Sequence, residues 1–270
     1  MKKYFILVLI LPILSLQAQT VKEILTKYET ANGNKNLVEA VKTLQYNTNV
    51  KLNMMGMPID ISITNVIEKG KLFRKEIGGL MGMKGSYTLV TDTAGYTSTP
   101  TIPSFGEFQG IEGGIAKMDA TTFALAKNNL SPMQEFTTLL NATTNGSIIT
   151  YTGKEKVENT ECYKLKLITS DNMVSTYYID INTNLVKQVE VSGKQLSSLL
   201  GLSGTGPMSD MLGGNLDKQK VLLIYLEYLE IAGLKFPTKQ KIQLGAVDVE
   251  LENTDVQINQ PIEPKYYIVK

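Results

Sequence analysis

The sequence predicts an α+β protein that is mostly antiparallel β, with one large meandering sheet whose apolar face other elements must cover. From Gly153 onward, segments that alternate apolar and polar residues follow one another, and each ends in a Gly, Asn or Asp turn. Turns of two to five residues join these segments, and such short connections suit only antiparallel neighbours. Helical periodicity is confined to a few short stretches.

A helix is predicted over Val21–Ala31, where apolar residues recur at the i, i+3, i+4 and i+7 spacing. Gly33 suits the position just past its end, and a shorter helix is predicted at Leu37–Lys42. The period then changes to two. Alternation over Leu44–Met54 predicts the first strand, and the chain returns through Ile59–Thr64. Shorter strands are predicted at Lys71–Ile77, Ser86–Thr91 and Tyr96–Ser98.

The middle of the chain interrupts the sheet. Pro100–Gly114 is rich in Pro and Gly and predicts a loop, which two helices follow at Met118–Asn129 and Pro132–Leu140. Ser131 is the expected N-cap of the second helix, with a proline at its first position. A second interruption is predicted at Lys194–Lys218, with a short apolar helix at Leu196–Leu202.

The later strands are predicted at Thr160–Ile168, Ser175–Ile181, Leu185–Val191, Val221–Ile231, Leu234–Leu244 and Val247–Ile258. The segment Val221–Leu226 is apolar on both faces, which is typical of a strand covered on both sides.

The first residues predict export. Lys2 and Lys3 precede an apolar run of about 13 residues, and a small residue, Ala18, precedes the expected cleavage site. We therefore expect a signal peptide at 1–18 and a single domain at 19–270. The alternative is an uncleaved anchor, but the run is shorter than the roughly 20 residues of a membrane span. No cysteine follows the run for lipid attachment, so we expect a soluble protein in the periplasm or a secreted one.

Charge and residue types exclude several function classes. With 27 basic and 26 acidic residues the net charge is +1, which argues against nucleic acid as a partner. The chain has no histidine, so Ser-His and Cys-His catalysis and His-ligated zinc are excluded. The single cysteine, Cys162, favours a small buried hydrophobe over a reactive thiol. We expect no enzyme activity, no catalytic residue, no cofactor and no metal site.

Apolar surface is in surplus at three places. Methionines cluster at one hairpin, at the next loop and in the second interruption, and methionine suits surfaces that accept varied apolar partners. Core filling at the sheet ends is the alternative explanation. A curved sheet with helices on its concave face would leave a cavity able to hold acyl chains, where each buried methylene contributes about 0.8 kcal/mol.

Several segments together resemble a known family. They are the helix Val21–Ala31 with Asn32-Gly33, the strand from Leu44, the hairpin Tyr177–Lys187, the strand Cys162–Leu167 and the turn Gly233–Thr238. In this order they are similar to the LolA/LolB-type superfamily of periplasmic lipoprotein carriers, and more closely to the outer-membrane lipoprotein-sorting-like proteins of Bacteroidota.

The resemblance implies a half-open β-barrel of about eleven strands, with helices across the concave face as a lid. It implies a carrier that shields lipoprotein acyl chains or another lipid, with envelope membrane proteins as possible further partners. Arg74 is the only arginine and the one candidate for the lid-holding arginine of such carriers. We expect a monomer.

The predicted hydrophobic ligand-binding residues come from the first two strands, the methionine loops and the late apolar strand. They are Tyr46, Val50, Leu52, Met54, Ile61, Ile63, Met81, Met83, Met208, Met211, Leu222, Ile224 and Leu226. Two alternatives remain. One is an envelope interaction module with a filled barrel, and the other is a hydrolase with two inward-facing carboxylates.

Overall fold

The computed structural model describes residues 20–54, 57–79, 85–101, 104, 109–110, 112–142, 145–170, 172–193, 219–245 and 247–270. The predicted signal peptide and the predicted helix Leu196–Leu202 lie outside these residues. No helix in the described part of the chain is long and apolar enough to cross a membrane.

Thirteen strands of the described part of the chain form one antiparallel sheet, which is not closed there. The first strands are β1 (Thr43–Met54), β2 (Met57–Glu68), β3 (Leu72–Ile77), β4 (Ser86–Thr91), β5 (Gly95–Thr99) and β6 (Gly114–Lys117). The later strands are β7 (Ile148–Val157), β8 (Thr160–Ile168), β9 (Val174–Asp180), β10 (Val186–Ser192), β11 (Lys220–Ile231), β12 (Leu234–Leu244) and β13 (Val247–Ile258). The spatial order runs from β6 back to β1, then from β13 back to β7, so β1 and β13 are neighbours and β6 and β7 are the edges.

Short helices accompany the sheet. They are α1 over residues 20–31, α2 (Lys35–Glu39), α3 (Ala120–Ala126), which continues into a 3-10 helix (Lys127–Leu130), and α4 (Gln134–Asn141). A second 3-10 helix, Pro264–Tyr267, lies near the C-terminus.

The predicted mostly antiparallel α+β class is confirmed, but the described residues already form thirteen strands instead of about eleven. β6 begins where a loop was predicted to end, and its four residues are all exposed, so no apolar alternation marks it. β7 begins at Ile148, five residues before the predicted start at Gly153. The curvature expected of a half-barrel stays a prediction.

The sequence places one helix cap wrongly. α4 begins at Gln134, and its N-cap is Met133, which makes no side-chain capping hydrogen bond. Ser131 instead accepts a hydrogen bond at its backbone carbonyl from the amide of Gln134, at 3.3 Å. In α3 the capping residue is Asp119, whose Oδ1 accepts from the amides of Thr121 and Thr122, both at 2.9 Å.

The turn after α1 is fixed by backbone packing. Gly33 has a φ of 107°, and a Cβ there would lie 2.2 Å from the carbonyl oxygen of Gly233 in the β11–β12 turn. Only glycine allows this approach. The C-terminal end of α1 is thereby held against the β11–β12 turn.

We call the sheet face on which α1–α4 pack the inner face, and the other the outer face. Two buried apolar clusters form on the inner face. The first joins Ile24 and Tyr28 of α1 and Leu139 of α4 to β8–β12. The second joins α2 and the segment Leu130–Met133 to β1–β4, β12 and β13.

Candidate functional site

The candidate site is an apolar patch on the inner face of β1, β2 and β3. Cross-strand register places Val50 opposite Ile61, Leu52 opposite Ile59 and Ile63 opposite Ile77. The inner-face patch is defined by these residues: Val50, Leu52, Ile59, Ile61, Ile63 and Ile77.

The patch keeps apolar surface that the described helices do not cover. Val50 and Ile59 are 9% and 8% exposed, whereas Leu52, Ile61 and Ile63 are half-buried. Among the described residues, the patch belongs to neither of the two clusters that the helices complete. Such half-buried aliphatic side chains can bury further surface only against an additional apolar group.

A polar belt borders the patch. Asn65 of β2 donates from Nδ2 to Oγ1 of Thr48 at 3.2 Å, and Thr48 donates from Oγ1 to Oδ1 of Asn253 at 2.8 Å. Asn253 in turn donates from Nδ2 to the carbonyl of Pro237 at 2.9 Å. All three side chains are buried, so the belt is a satisfied network that separates the patch from the second cluster.

Five predicted ligand residues lie on the inner face of the first two strands: Tyr46, Val50, Leu52, Ile61 and Ile63. Four of them belong to the patch. Tyr46 lies beyond the polar belt, in the second cluster, where its ring meets Phe236 edge-on at 5.3 Å. Their binding role stays a prediction.

The residues predicted on β11 lie elsewhere. Leu223 and Tyr225 belong to the first inner-face cluster, so alternation places Leu222 and Ile224 toward the outer face. Leu226 is 49% exposed and lies at a register shift between Tyr225 and Glu227, where alternation no longer assigns a face. Because this strand is apolar on both faces, its sequence does not show which face packs against the helices.

Arg74 is also on the outer face, where it pairs in register with Val66 and Leu89. Its Nη1 donates to the carbonyls of Tyr266 and Ile268 at 3.4 and 2.7 Å, and its guanidinium lies 4.2 Å from the ring centre of Tyr87. Among the described residues, Arg74 therefore holds the C-terminal segment, on the face opposite α1–α4, since a one-residue step on a strand reverses the face. Its lid-holding role stays a prediction.

The predicted methionines are not described at the level of side chains. The backbone of Met54 pairs with Met57 at the β1–β2 hairpin. The other four, Met81, Met83, Met208 and Met211, lie outside the described residues.

The described residues show no arrangement for metal binding or thiol chemistry. Among them, no group of three or more His, Cys, Asp or Glu could hold a metal ion. Cys162 is fully buried beside Val157 and Tyr178, and desolvation, together with the charge of Asp180, raises the pKa of its thiol to about 11. The thiol is therefore neutral at physiological pH and inaccessible.

Residues missed by the sequence reasoning are Ile59 and Ile77 of the patch and all three belt residues, Thr48, Asn65 and Asn253. The signal for Ile59 was present, since it continues the Ile61–Ile63 alternation. Ile77 and Asn253 join the site only through pairing with β2 and β1, which a single sequence does not reveal.

Comparison with known proteins gives the fold. No protein-family model matches the chain, and no curated protein matches it in sequence. Among solved structures, a DUF1329 family protein from Desulfovibrio piger matches with a TM-score of 0.56 at 12% identity, over 92% of this chain and 97% of the other. A LolA superfamily protein from Nitrosomonas europaea matches with a TM-score of 0.53 at 11% identity, over 92% and 97%.

A domain from Vibrio parahaemolyticus named for outer membrane lipoprotein sorting matches with a TM-score of 0.52 at 9% identity, over 91% of this chain and 94% of the other. Sequence identities this low indicate a shared fold and say nothing of a shared activity. The chain therefore shares its fold with structures of the LolA superfamily, as its sequence segments predicted.

Proposed function

We propose that this protein is a non-enzymatic carrier or binding protein for a hydrophobic ligand. The observation that carries the proposal is the inner-face patch, in which aliphatic residues from three adjacent strands stay half-buried. Burial of apolar surface contributes about 25 cal/mol per Å², which favours binding of an apolar ligand there. The fold shared with LolA superfamily structures also supports a hydrophobic ligand.

We infer further that the ligand is an acyl chain of a lipoprotein or lipid, carried in the periplasm during outer-membrane lipoprotein sorting. The patch runs along β2 from Ile59 to Ile63, four residue steps, so the apolar path along this strand is about 13 Å long at the usual rise per residue. That length suits an extended hydrocarbon chain. The predicted signal peptide supports the compartment.

The test is to purify the protein from the cells that produce it and to identify co-purified molecules by mass spectrometry. The proposal expects an acylated lipoprotein or a lipid at a constant ratio to protein. Repeated recovery with nothing apolar bound, together with no uptake of added lipid, would contradict it.

A second candidate is an envelope interaction module with a filled barrel. The observation that favours it is exposed apolar surface near the β7 edge, where Ile148 is 61% and Val174 is 46% exposed and both pair in register with Ile168. Open strand edges are common sites of strand addition by partners. A specific complex in pull-down experiments, without any lipid binding, would favour this candidate.

A further inference from the structure

The dipeptide Asn-Gly occurs twice in the chain, as Asn32–Gly33 after α1 and as Asn145–Gly146 after α4. Both copies lie in the same kind of turn. The amide of the asparagine donates to the carbonyl four residues earlier, that of Tyr28 at 3.1 Å or that of Asn141 at 3.0 Å. The residue after the glycine donates to the carbonyl five residues before it, at 2.9 and 3.0 Å, and each glycine has a positive φ. The same dipeptide is thus held in one local geometry at two places.

Contacts with the rest of the protein hold the first copy. Asn32 is 4% exposed, and its Nδ2 donates to the carbonyl of Tyr28 at 2.8 Å. Its backbone carbonyl accepts from the amide of Lys235 at 3.4 Å. The amide of Gly33 donates to a carbonyl of α1 at 3.3 Å, and Gly33 lies against the carbonyl oxygen of Gly233. Both residues of this copy are therefore fixed between α1 and the β11–β12 turn.

The second copy lacks these restraints within the described part of the chain. Asn145 and Gly146 are both exposed. Neither the side chain of Asn145 nor the amide of Gly146 makes a hydrogen bond to another described residue. A Cβ placed on Gly146 would meet no atom within 4 Å, so no neighbouring group crowds this dipeptide.

We propose that Asn145–Gly146 is a site of spontaneous deamidation in the folded protein, and that Asn32–Gly33 is protected from it. The backbone nitrogen of Gly146 loses its proton and attacks Cγ of Asn145, so that a C–N bond forms, the Cγ–Nδ2 bond breaks and ammonia leaves. The product is a cyclic succinimide. Water then opens one of the C–N bonds of the ring and leaves either aspartate or an isoaspartyl linkage at this position. Water is the only co-reactant.

The difference between the two copies comes from what must open before the attack. Glycine favours the reaction because no Cβ hinders the approach of its nitrogen to the asparagine side chain. At either copy the asparagine must rotate about ψ, which opens the turn. At Asn145 this opening is local, beyond the end of a short helix where stability is low. At Asn32 it must also break the hydrogen bonds to Tyr28 and Lys235, and two such bonds slow the reaction by at least about tenfold.

Deamidation changes the connection between α4 and the edge strand β7. Aspartate adds a negative charge beside the C-terminal end of α4, where the helix dipole disfavours it. An isoaspartyl linkage also adds a methylene to the main chain. Because α4 supplies Leu139 to the first inner-face cluster, the modification acts on a helix that helps to cover the sheet.

The experiment ages the full chain, folded in buffer and unfolded in guanidinium chloride, at the same mildly alkaline pH and the same temperature. Peptide mapping by tandem mass spectrometry follows both dipeptides in one sample, and electron-transfer fragmentation separates aspartate from isoaspartate. In the folded protein, conversion at Asn145 is expected to be at least about tenfold faster than at Asn32. In denaturant the ratio is expected to approach one, because the dipeptide is then free at both places.

The variant Asn145→Gln is the matched control, because it keeps a side-chain amide but needs a larger and less favourable ring. Isoaspartate formation by the folded variant is expected to fall nearly to zero, with conversion at Asn32 unchanged. Absence of conversion at Asn145 in the folded protein, over a time in which the unfolded chain converts, would overturn the proposal. Equal rates at the two copies in the folded protein would overturn it as well, since the contacts of Asn32 would then give no protection.

Discussion

Arg74 donates a hydrogen bond of 2.7 Å from Nη1 to the backbone carbonyl of Ile268, which lies 194 residues later in the chain. This contact fixes the C-terminal segment across the outer face of β3 and β4. Tyr87 holds the end of the same segment, because its hydroxyl donates to the carbonyl of Lys270 at 2.8 Å. Ile262 and Tyr266 cover the buried residues Val66, Leu72 and Leu89 beneath it.

Removing the guanidinium should destabilise the protein. Arg74 has a side chain only 5% exposed, and it bonds two carbonyls that would lose their donor. We expect Arg74→Met to lower the free energy of unfolding by about 2 kcal/mol or more, measured by urea denaturation. The exposed control Lys156→Met should stay within about 0.5 kcal/mol of wild type.

Deleting residues 263–270 should have an effect of similar size, because it removes the carbonyl partners of Arg74 and uncovers the apolar residues below. In the shortened chain, Arg74→Met should then cost far less than in the full chain, since the two changes remove the same contacts. Additive losses would show that Arg74 acts independently of the C-terminal segment.

Tyr267 makes this segment sensitive to high pH. Burial raises the pKa of its phenol to about 12, with a further contribution from its hydrogen bond to the carboxylate of Glu68. Because the folded pKa lies above the ordinary value of about 10, this stabilisation is complete below about pH 10 and is lost as pH rises toward 12. Tyr267→Phe should abolish that part of the pH dependence in unfolding experiments between pH 9 and 12.

Thr48 tests whether the polar belt is a structural unit. Thr48→Val keeps the shape of the side chain but removes the hydroxyl that donates to Asn253 and accepts from Asn65. We expect a loss of about 1–3 kcal/mol in the free energy of unfolding, because buried amide groups are left without a partner. Thr150→Val, at an exposed position of β7, is the control and should be nearly neutral; an equal effect at both sites would contradict the account.

Cys162 should resist alkylation in the folded protein. Desolvation raises its thiol pKa to about 11, and the side chain is fully buried. Reaction with iodoacetamide at pH 8 should therefore proceed only at the rate of unfolding, and it should become fast in denaturant. Rapid labelling of the native protein would show that the β7–β8 region opens locally.

The sequence predicts the strands better than it predicts their faces. Leu44–Met54 alternates cleanly, so its strand and its inner side, with Val50 and Leu52, are readable directly. At Val221–Leu226 both sides are apolar, and the outward position of Leu222 follows only from packing against α1 and α4. Arg74 and Lys75 are also hard to assign from sequence, since these neighbouring cations lie on opposite faces of β3.

Tertiary pairing explains the remaining differences. Ile77 joins the patch because β3 pairs with β2, and Asn253 joins the belt because β13 pairs with β1, more than 200 residues along the chain. β6 is a short edge strand without apolar alternation, so only its pairing with β5 marks it. Such pairings depend on sheet order, which local patterns do not encode.

Equilibrium titration with a fluorescent fatty acid tests the central claim most directly. The double variant Ile61→Thr/Ile63→Thr keeps two β-branched residues on β2 but removes apolar surface from the patch, and Leu226→Thr makes a similar change at an exposed position of β11. We predict saturable binding by wild-type protein, unchanged binding by Leu226→Thr, and affinity at least about tenfold weaker in the double variant, given about 0.8 kcal/mol for each lost methylene. Absence of saturable binding by wild-type protein, or equal affinity in all three proteins, would contradict the claim that the inner face of β1–β3 is a hydrophobic ligand site.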